Sequence, residues 1–201
     1  EELVSYAIGC MMGRYSLDAP GLIYAHSGNE GFDPSRYPTF PADDDGIVPL
    51  TDTEWFDDEA AHCLIEFIAV AFPGEEDAAH LEASLTFLAD NLSPKKNESS
   101  RETLRRYLCN SFFKDHLKTY KKRPIYWLFS SGKQKSFQCL GDLHRYNDGT
   151  LSRMRSEYVM PLQGKVASRI EQLEGDVAAA TSSSHRKKLE KRRDTLVKQR
   201  E

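Results

Sequence analysis

Cysteine is scarce in this sequence. Cys10, Cys63, Cys109 and Cys139 are the four, and no CxxC spacing joins any two of them. That excludes a disulfide scaffold and a thiol-ligated zinc site. Each cysteine lies in an apolar-periodic or strand-like segment, as a small buried hydrophobe of a reducing cytosol does. Long apolar runs are missing too. No stretch approaches the ~18 residues that a membrane span requires, and no secretory leader pattern is present, so a cytoplasmic location and no membrane partner are expected. The six histidines, His26, His62, His80, His116, His144 and His185, show no HxxxH or HExxH spacing, which removes the zinc-hydrolase class. Asp43-Asp44-Asp45, with Asp52, Asp57, Asp58 and Glu59, lacks the EF-hand spacing and reads as a solvated acidic loop rather than a Mg²⁺ or Ca²⁺ site. No metal is expected. Gly132-Lys133 is not a phosphate loop: the first glycine of GxxxxGK[ST] would fall at Trp127, and Gln134 follows the lysine.

Charge is plentiful but unevenly placed. Residues 1–100 carry 20 Asp and Glu against 4 Lys and Arg, whereas residues 101–201 carry 11 against 23. Such a split suits a polarised molecule whose basic half meets phosphate backbones, or two halves that attract each other.

Periodicity sets the expected elements. Leu3, Tyr6, Ala7, Cys10 and Met11 space a helix that Gly13 closes. From Leu17 to Leu50, Pro and Gly recur too densely for long helices and allow only short strands, such as Leu22 to Ala25 or Ile47 to Leu50. Phe32, Tyr37 and Phe40 punctuate this arm, so it is expected to wrap a neighbour. Thr51-x-x-Glu54 has the form of a capping box for a helix carrying Phe56, Ala60, Cys63, Leu64, Phe67 and Ile68. Its C-terminal half is expected to be buried nearly all round. Leu81, Leu85, Leu88 and Leu92 mark the next helix. Ser99-x-x-Glu102 opens another, through Leu104, Tyr107, Leu108 and Phe112, until Pro124 forces extended structure. Ile125 to Phe129 and Phe137 to Leu143 alternate with period 2 across a Gly-containing turn and predict a β-hairpin. Asp148-Gly149-Thr150 predicts a helix start, with an interruption at Pro161. Leu162, Val166, Ile170, Leu173 and Val177 then form a heptad-like seam, Thr181 to Ser184 a turn, and Leu189 and Leu196 a thinner return seam.

The expected fold is mainly α (α+β): a helical core with one β-hairpin and a C-terminal antiparallel helical hairpin. Residues 1–50 make an N-terminal helix and an irregular acidic arm, residues 51–160 a helical core with the β-hairpin at 124–146, and residues 161–201 a truncated coiled-coil-like hairpin. A start at Glu1-Glu2 without Met, and a stop at Lys198-Gln199-Arg200-Glu201 in mid-helix pattern, lead us to expect a fragment of a longer polypeptide. Around the β-hairpin, Lys121, Lys122, Arg123, Lys133 and Lys135, followed by Arg145, Arg153 and Arg155, are interleaved with Tyr120, Tyr126, Trp127 and Tyr146. Cations fix phosphates and aromatics stack, so these residues are candidates for sequence-indifferent contact with a DNA backbone. The competing reading makes Trp127 and Phe129 core and the lysines a solvated rim.

Three long strings carry a family likeness: ELVSYAIGCMMGRYSLDAPGLIYA at Glu2 to Ala25, RPIYWLFSSGKQKSFQCL with LHRYNDGTLSRMR at Arg123 to Arg155, and MPLQGK with RIEQLEGD at Met160 to Asp176. The chain resembles the C-terminal region of the PglX family, the adenine-specific DNA methyltransferases of BREX phage-defence systems. It departs from that family at Gly141-Asp142, where an apolar-aromatic pair is expected. The resemblance implies a parent enzyme that methylates adenine N6 in double-stranded DNA with S-adenosylmethionine. It also implies an active site outside this segment, because the glycine-rich cofactor turn and the Asn/Asp-Pro-Pro-Tyr/Phe tetrapeptide are both missing. No catalytic residue carries over. Two roles follow for the segment: a DNA-gripping element, or a docking module for other BREX proteins or a phage antagonist.

Overall fold

In a computed structural model the protein is described at residues 1–74 and 77–200, with Asp77 described by its backbone alone. The chain falls into two compact units. One joins Glu1–Phe129 to Gln138–Thr150, and the other joins Ser130–Phe137 to the chain from Leu151 onward. The fold is mainly α with a small three-stranded antiparallel sheet, in agreement with the expected class.

Helix α1 (Glu2–Met11) opens the first unit and buries Val4, Ala7, Ile8, Cys10 and Met11. Gly13 closes it in the left-handed region, at φ 74°, where a Cβ would stand 2.5 Å from the Phe32 ring, so only glycine lets the arm turn back here. The arm does wrap the core. Tyr24, Tyr37 and Phe40 are buried, Phe32 stacks on Tyr37, and the Tyr37 hydroxyl donates to the Gly13 carbonyl at 2.5 Å. Of the two candidate strands in the arm, Leu22 to Ala25 is irregular, and only β1 (Ile47–Pro49) forms.

Helix α2 (Ala60–Ala71) begins later than its capping-box pattern predicts. The Thr51 hydroxyl turns instead to Glu59 Oε2 at 2.6 Å, with the Thr53 carbonyl also within reach of its one proton at 2.7 Å. A carboxylate with no exposure, Glu59, thus gains an acceptor role beside its ion pair with Arg105, and that demand outweighs a local cap. Leu64, Phe67 and Ile68 are buried, but Ala69, Val70 and Phe72 are exposed. The expected all-round burial of this helix is therefore not met.

Helix α3 (Asp77–Asp90) and α4 (Ser100–Tyr107) follow. At α4 the capping box is complete, with both Ser99 and Glu102 making their reciprocal bonds. A π-helical turn (Leu108–Phe112) leads into α5 (Phe113–Thr119), so the helical run predicted to reach Pro124 is present with a defect in its middle. Strands β2 (Tyr126–Ser130) and β3 (Gln138–Asp142) make the predicted hairpin. The sheet order is β1-β3-β2, with Ile47 opposite Gly141 and Pro49 opposite Cys139. Pro49 sits on an edge strand, where its missing N–H breaks no inner ladder. Gly141 lies under Phe129, whose ring would be 3.0 Å from an added Cβ. Asp142 is buried, its Oδ1 accepting from the backbone N–H of His144 and Arg145. The pair that departs from the family pattern is therefore interior.

Cys10 and Cys139 are buried as expected, whereas Cys63 and Cys109 are half-buried; all four are free thiols. Among the described residues no helix is long and apolar enough to cross a membrane.

In the second unit α6 (Thr150–Arg153) leaves Leu151 exposed and passes through a π-helical turn (Met154–Val159) into α7 (Met160–Ala179). Pro161 does not interrupt the run. It lies in the first turn of α7, where a missing N–H is tolerated, and the widened π turn before it accommodates the ring. Leu162, Val166, Ile170 and Leu173 are buried along one seam and Val177 is half-buried; Leu196 of α8 (Ser183–Arg200) closes against α7.

Two expected outcomes follow from the core of the first unit. Phe67 is 1% exposed and meets Tyr6 and Phe40 edge-on. Phe67→Ala should cost about 3–5 kcal/mol by urea denaturation, through reduced burial and an unfilled cavity. His116 is 3% exposed, and its Nε2 accepts from the Ile125 N–H at 3.1 Å. Burial, aided by the Arg14 charge, lowers its pKa to about 4. The unfolded chain takes up a proton near pH 6.5 that the folded chain refuses until about pH 4, so stability is full above that window and falls through it. The loss should be on the order of 3 kcal/mol between pH 7 and 4. His116→Gln should remove that component, read as the difference between the two proteins' urea midpoints across the same pH range.

Candidate nucleic-acid interface

The eight basic candidates do not share one environment. Lys121, Lys122 and Arg123 are exposed on the turn that leaves α5 in the first unit. Their backbone is held firmly. The Lys121 N–H donates to the Lys118 carbonyl at 3.1 Å and the Lys122 N–H to the Leu117 carbonyl at 2.7 Å, the paired closure of a Schellman helix end. Both lysines are left-handed, at φ 50° and 64°. Glycine is the usual residue at the first of these positions, and a side chain there costs roughly 1 kcal/mol. Lys118, one turn earlier, is exposed but paired with Asp115 at 2.8 Å.

Beyond the turn, strand β2 points Tyr126 inward and Trp127 outward. Tyr126 is buried, with its His116 neighbour stacked at 4.7 Å. Trp127 is 42% exposed, 5.4 Å from Tyr146 and 6.4 Å from Phe129. The indole is thus a surface residue braced by two rings, which removes it from the core reading. Sequence alternation locates the strand but does not say which face is inside.

Arg145 is elsewhere. It is 1% exposed, and its guanidinium donates to the Asp43 carbonyl at 2.5 Å, the Asp44 carbonyl at 2.7 Å and Asn29 Oδ1 at 2.9 Å, with Phe32 stacked 3.8 Å below. Burial lowers its pKa against the opposing pull of Asp43 and Asp142. Each guanidinium nitrogen donates internally and the side chain is out of solvent, so this arginine ties the arm to the sheet and is not presented to a phosphate. No local sequence signal separates it from its exposed neighbours.

The remaining candidates belong to the second unit. Lys133 and Lys135 are exposed on the β2–β3 connection, with Gly132 and Lys135 left-handed. Arg153 is half-buried on α6, and Arg155 is exposed on the π turn.

An acidic groove of about 680 Å³ opens on the first unit, with Met11, Phe40 and Val48 in its floor and Asp44, Asp57, Asp58 and Glu66 among its lining. The acidic residues singled out in the sequence are thus partly gathered. Asp43, beside them, is committed to structure: its Oδ1 accepts from the N–H of Asp45, Gly46 and Ile47. Among the described residues no group of three or more His, Cys, Asp or Glu is arranged to hold a metal ion.

No protein-family model matches the sequence. The chain is similar to the adenine-specific methyltransferase BrxX of Escherichia coli O9:H4 (strain HS), 53% identical over 98% of the chain. It is also similar to the adenine-specific methyltransferase PglX of Lacticaseibacillus casei (strain Zhang), 40% identical over 98% of the chain. The resemblance read from the three strings is borne out. The chain spans only 17% and 16% of the lengths of these relatives.

Removing the Arg145 guanidinium should unfasten the arm. Arg145→Ala removes a guanidinium that is 1% exposed and with it the donors to the Asp43 and Asp44 carbonyls and the Asn29 side chain, so it should cost about 3 kcal/mol or more by urea denaturation. Limited proteolysis should then cut within residues 29–46; a variant as stable and as resistant as the parent chain would contradict the tethering role.

Proposed function

We propose that this chain is a non-catalytic C-terminal segment of an S-adenosylmethionine-dependent adenine-N6 DNA methyltransferase of a BREX phage-defence system. In this reading it helps the parent enzyme, in the cytoplasm, grip double-stranded DNA by the phosphate backbone. Similarity to two adenine-specific methyltransferases over 98% of the chain supports the parent's reaction. The cofactor is then held outside this segment. The described sheet is antiparallel, and the run from β3 to α6 holds a glycine only at its end, Gly149, which does not fit the glycine-rich turn that cradles the cofactor's methionine moiety.

One observation carries the gripping role. Lys121 and Lys122 occupy consecutive left-handed positions at a helix end, where glycine would be more stable, and backbone strain of this kind is retained where it serves a site. Beside them along the chain, Arg123 and the braced Trp127 supply a third cation and a stacking face. Lys133, Lys135, Arg153 and Arg155 extend the proposal to the second unit as a separate basic group. Arg145 is left out, since its guanidinium is consumed internally. A second reading has its own support: the acidic groove with an apolar floor suits docking of a cationic segment from another BREX protein or a phage antagonist.

Backbone strain and DNA affinity should move in opposite directions. Lys121→Gly should stabilise the chain by about 0.5–1 kcal/mol. In the full-length enzyme it should weaken binding about equally on target and non-target duplex. The slope of log K against log salt should flatten by roughly 0.9 for each phosphate left without its cation. Lys121→Gln with Lys122→Gln should deepen the weakening and the flattening. An unchanged salt slope in these well-folded variants would remove the gripping role and leave docking as the function to pursue.

A further inference from the structure

Phe87 is 75% exposed on α3 and Phe72 is 45% exposed just past α2. Single exposed aromatics are ordinary. These two instead line one groove of about 780 Å³, together with Leu3, Ile68, Ala83 and Leu88. It lies within the first unit. The groove is mostly apolar, with Glu1, Glu2, Ser84 and Asn91 also in its lining, and exposed apolar surface gathered in this way marks an interaction site. Helix α2 gives the groove Ile68, and Phe72 follows just past its end.

We infer that this groove is an internal interface of the longer polypeptide: the remainder of the parent chain packs an apolar element into it and covers Phe72 and Phe87. The inference rests on the proposed identity of the chain as a segment of such an enzyme. Its occupant is chosen on length. The two similar methyltransferases extend far beyond the match, which takes up 17% and 16% of them. Most of such a polypeptide lies outside these residues, permanently tethered to them. A tethered segment meets an apolar groove at an effective concentration that a separate protein rarely reaches.

Hydroxyl-radical footprinting of the full-length enzyme, without DNA and at two protein concentrations tenfold apart, tests this. Phe67 is the internal reference, because it shares the side-chain chemistry and is 1% exposed. Coverage by the parent chain predicts that Phe87 reacts within about twofold of Phe67 at both concentrations, as a buried phenylalanine does. If Phe87 reacts several-fold faster than Phe67 at both concentrations, the groove is open and the inference fails. Protection that appears only at the higher concentration also overturns it, in favour of a second copy. Adenine methylation by the same preparation is scored separately. A methylating enzyme with an open groove sinks the interface alone, and a covered groove in a protein that does not methylate sinks the proposed identity alone.

Discussion

A buried guanidinium holds the first unit together. Arg145 reaches Asn29 across 116 residues of sequence and Asp43 across 102, and it stacks on Phe32 between them. Each of these partners falls on the Pro- and Gly-rich arm, which has little regular structure of its own. Without the arginine, the part-buried carbonyls of Asp43 and Asp44 would lose the donors that hold them to the sheet. The same corner sets the sheet. The Asp43 carboxylate gathers the N–H groups that lead into β1, and the Asp142 N–H donates to the Gly46 carbonyl where β3 ends. Arm, edge strand and central strand therefore depend on one charged side chain.

Committing that cation inward changes what the surface can offer. Glu59 and Arg105 likewise neutralise each other beneath Thr51, and Glu98 holds Arg106 by its Nε. Lys121 to Arg123 stand apart from these pairs because the helix end throws them outward on a rigid turn. Rigidity matters for holding a phosphate, since a lysine on a fixed backbone loses less freedom on binding than one on a mobile loop.

How much of this can be read from sequence follows from how local the cause is. Ser99 and Glu102 cap α4 as their spacing requires, and the β-hairpin and the seam from Leu162 to Leu173 follow their periods. These are interactions between near neighbours. Thr51 has the same local pattern as Ser99 yet serves a buried carboxylate eight residues on, a demand created only by tertiary burial. Pro161 reads as a helix breaker, and a π turn absorbs it instead. At the candidate site the exposed lysines are legible as a basic run. The inward turn of Arg145 is not, because its partners lie about a hundred residues away. Nor does alternation say which way Trp127 faces, a choice made by what packs on Tyr126.

The second unit is discontinuous: the β2–β3 connection belongs to it, although the chain returns to the first unit before α6 begins. Phe137, from that connection, is buried with its ring 6.2 Å from Tyr158, beyond the return. No single cut in the chain therefore separates the units cleanly. Ending the polypeptide at Thr150 would keep Phe137 on its polar loop while deleting Tyr158, the ring it packs on. The Phe137 ring must wait for the turn Met154–Val159, which carries Tyr158, to be synthesised, so this connection finishes packing only after the chain has left the first unit for good.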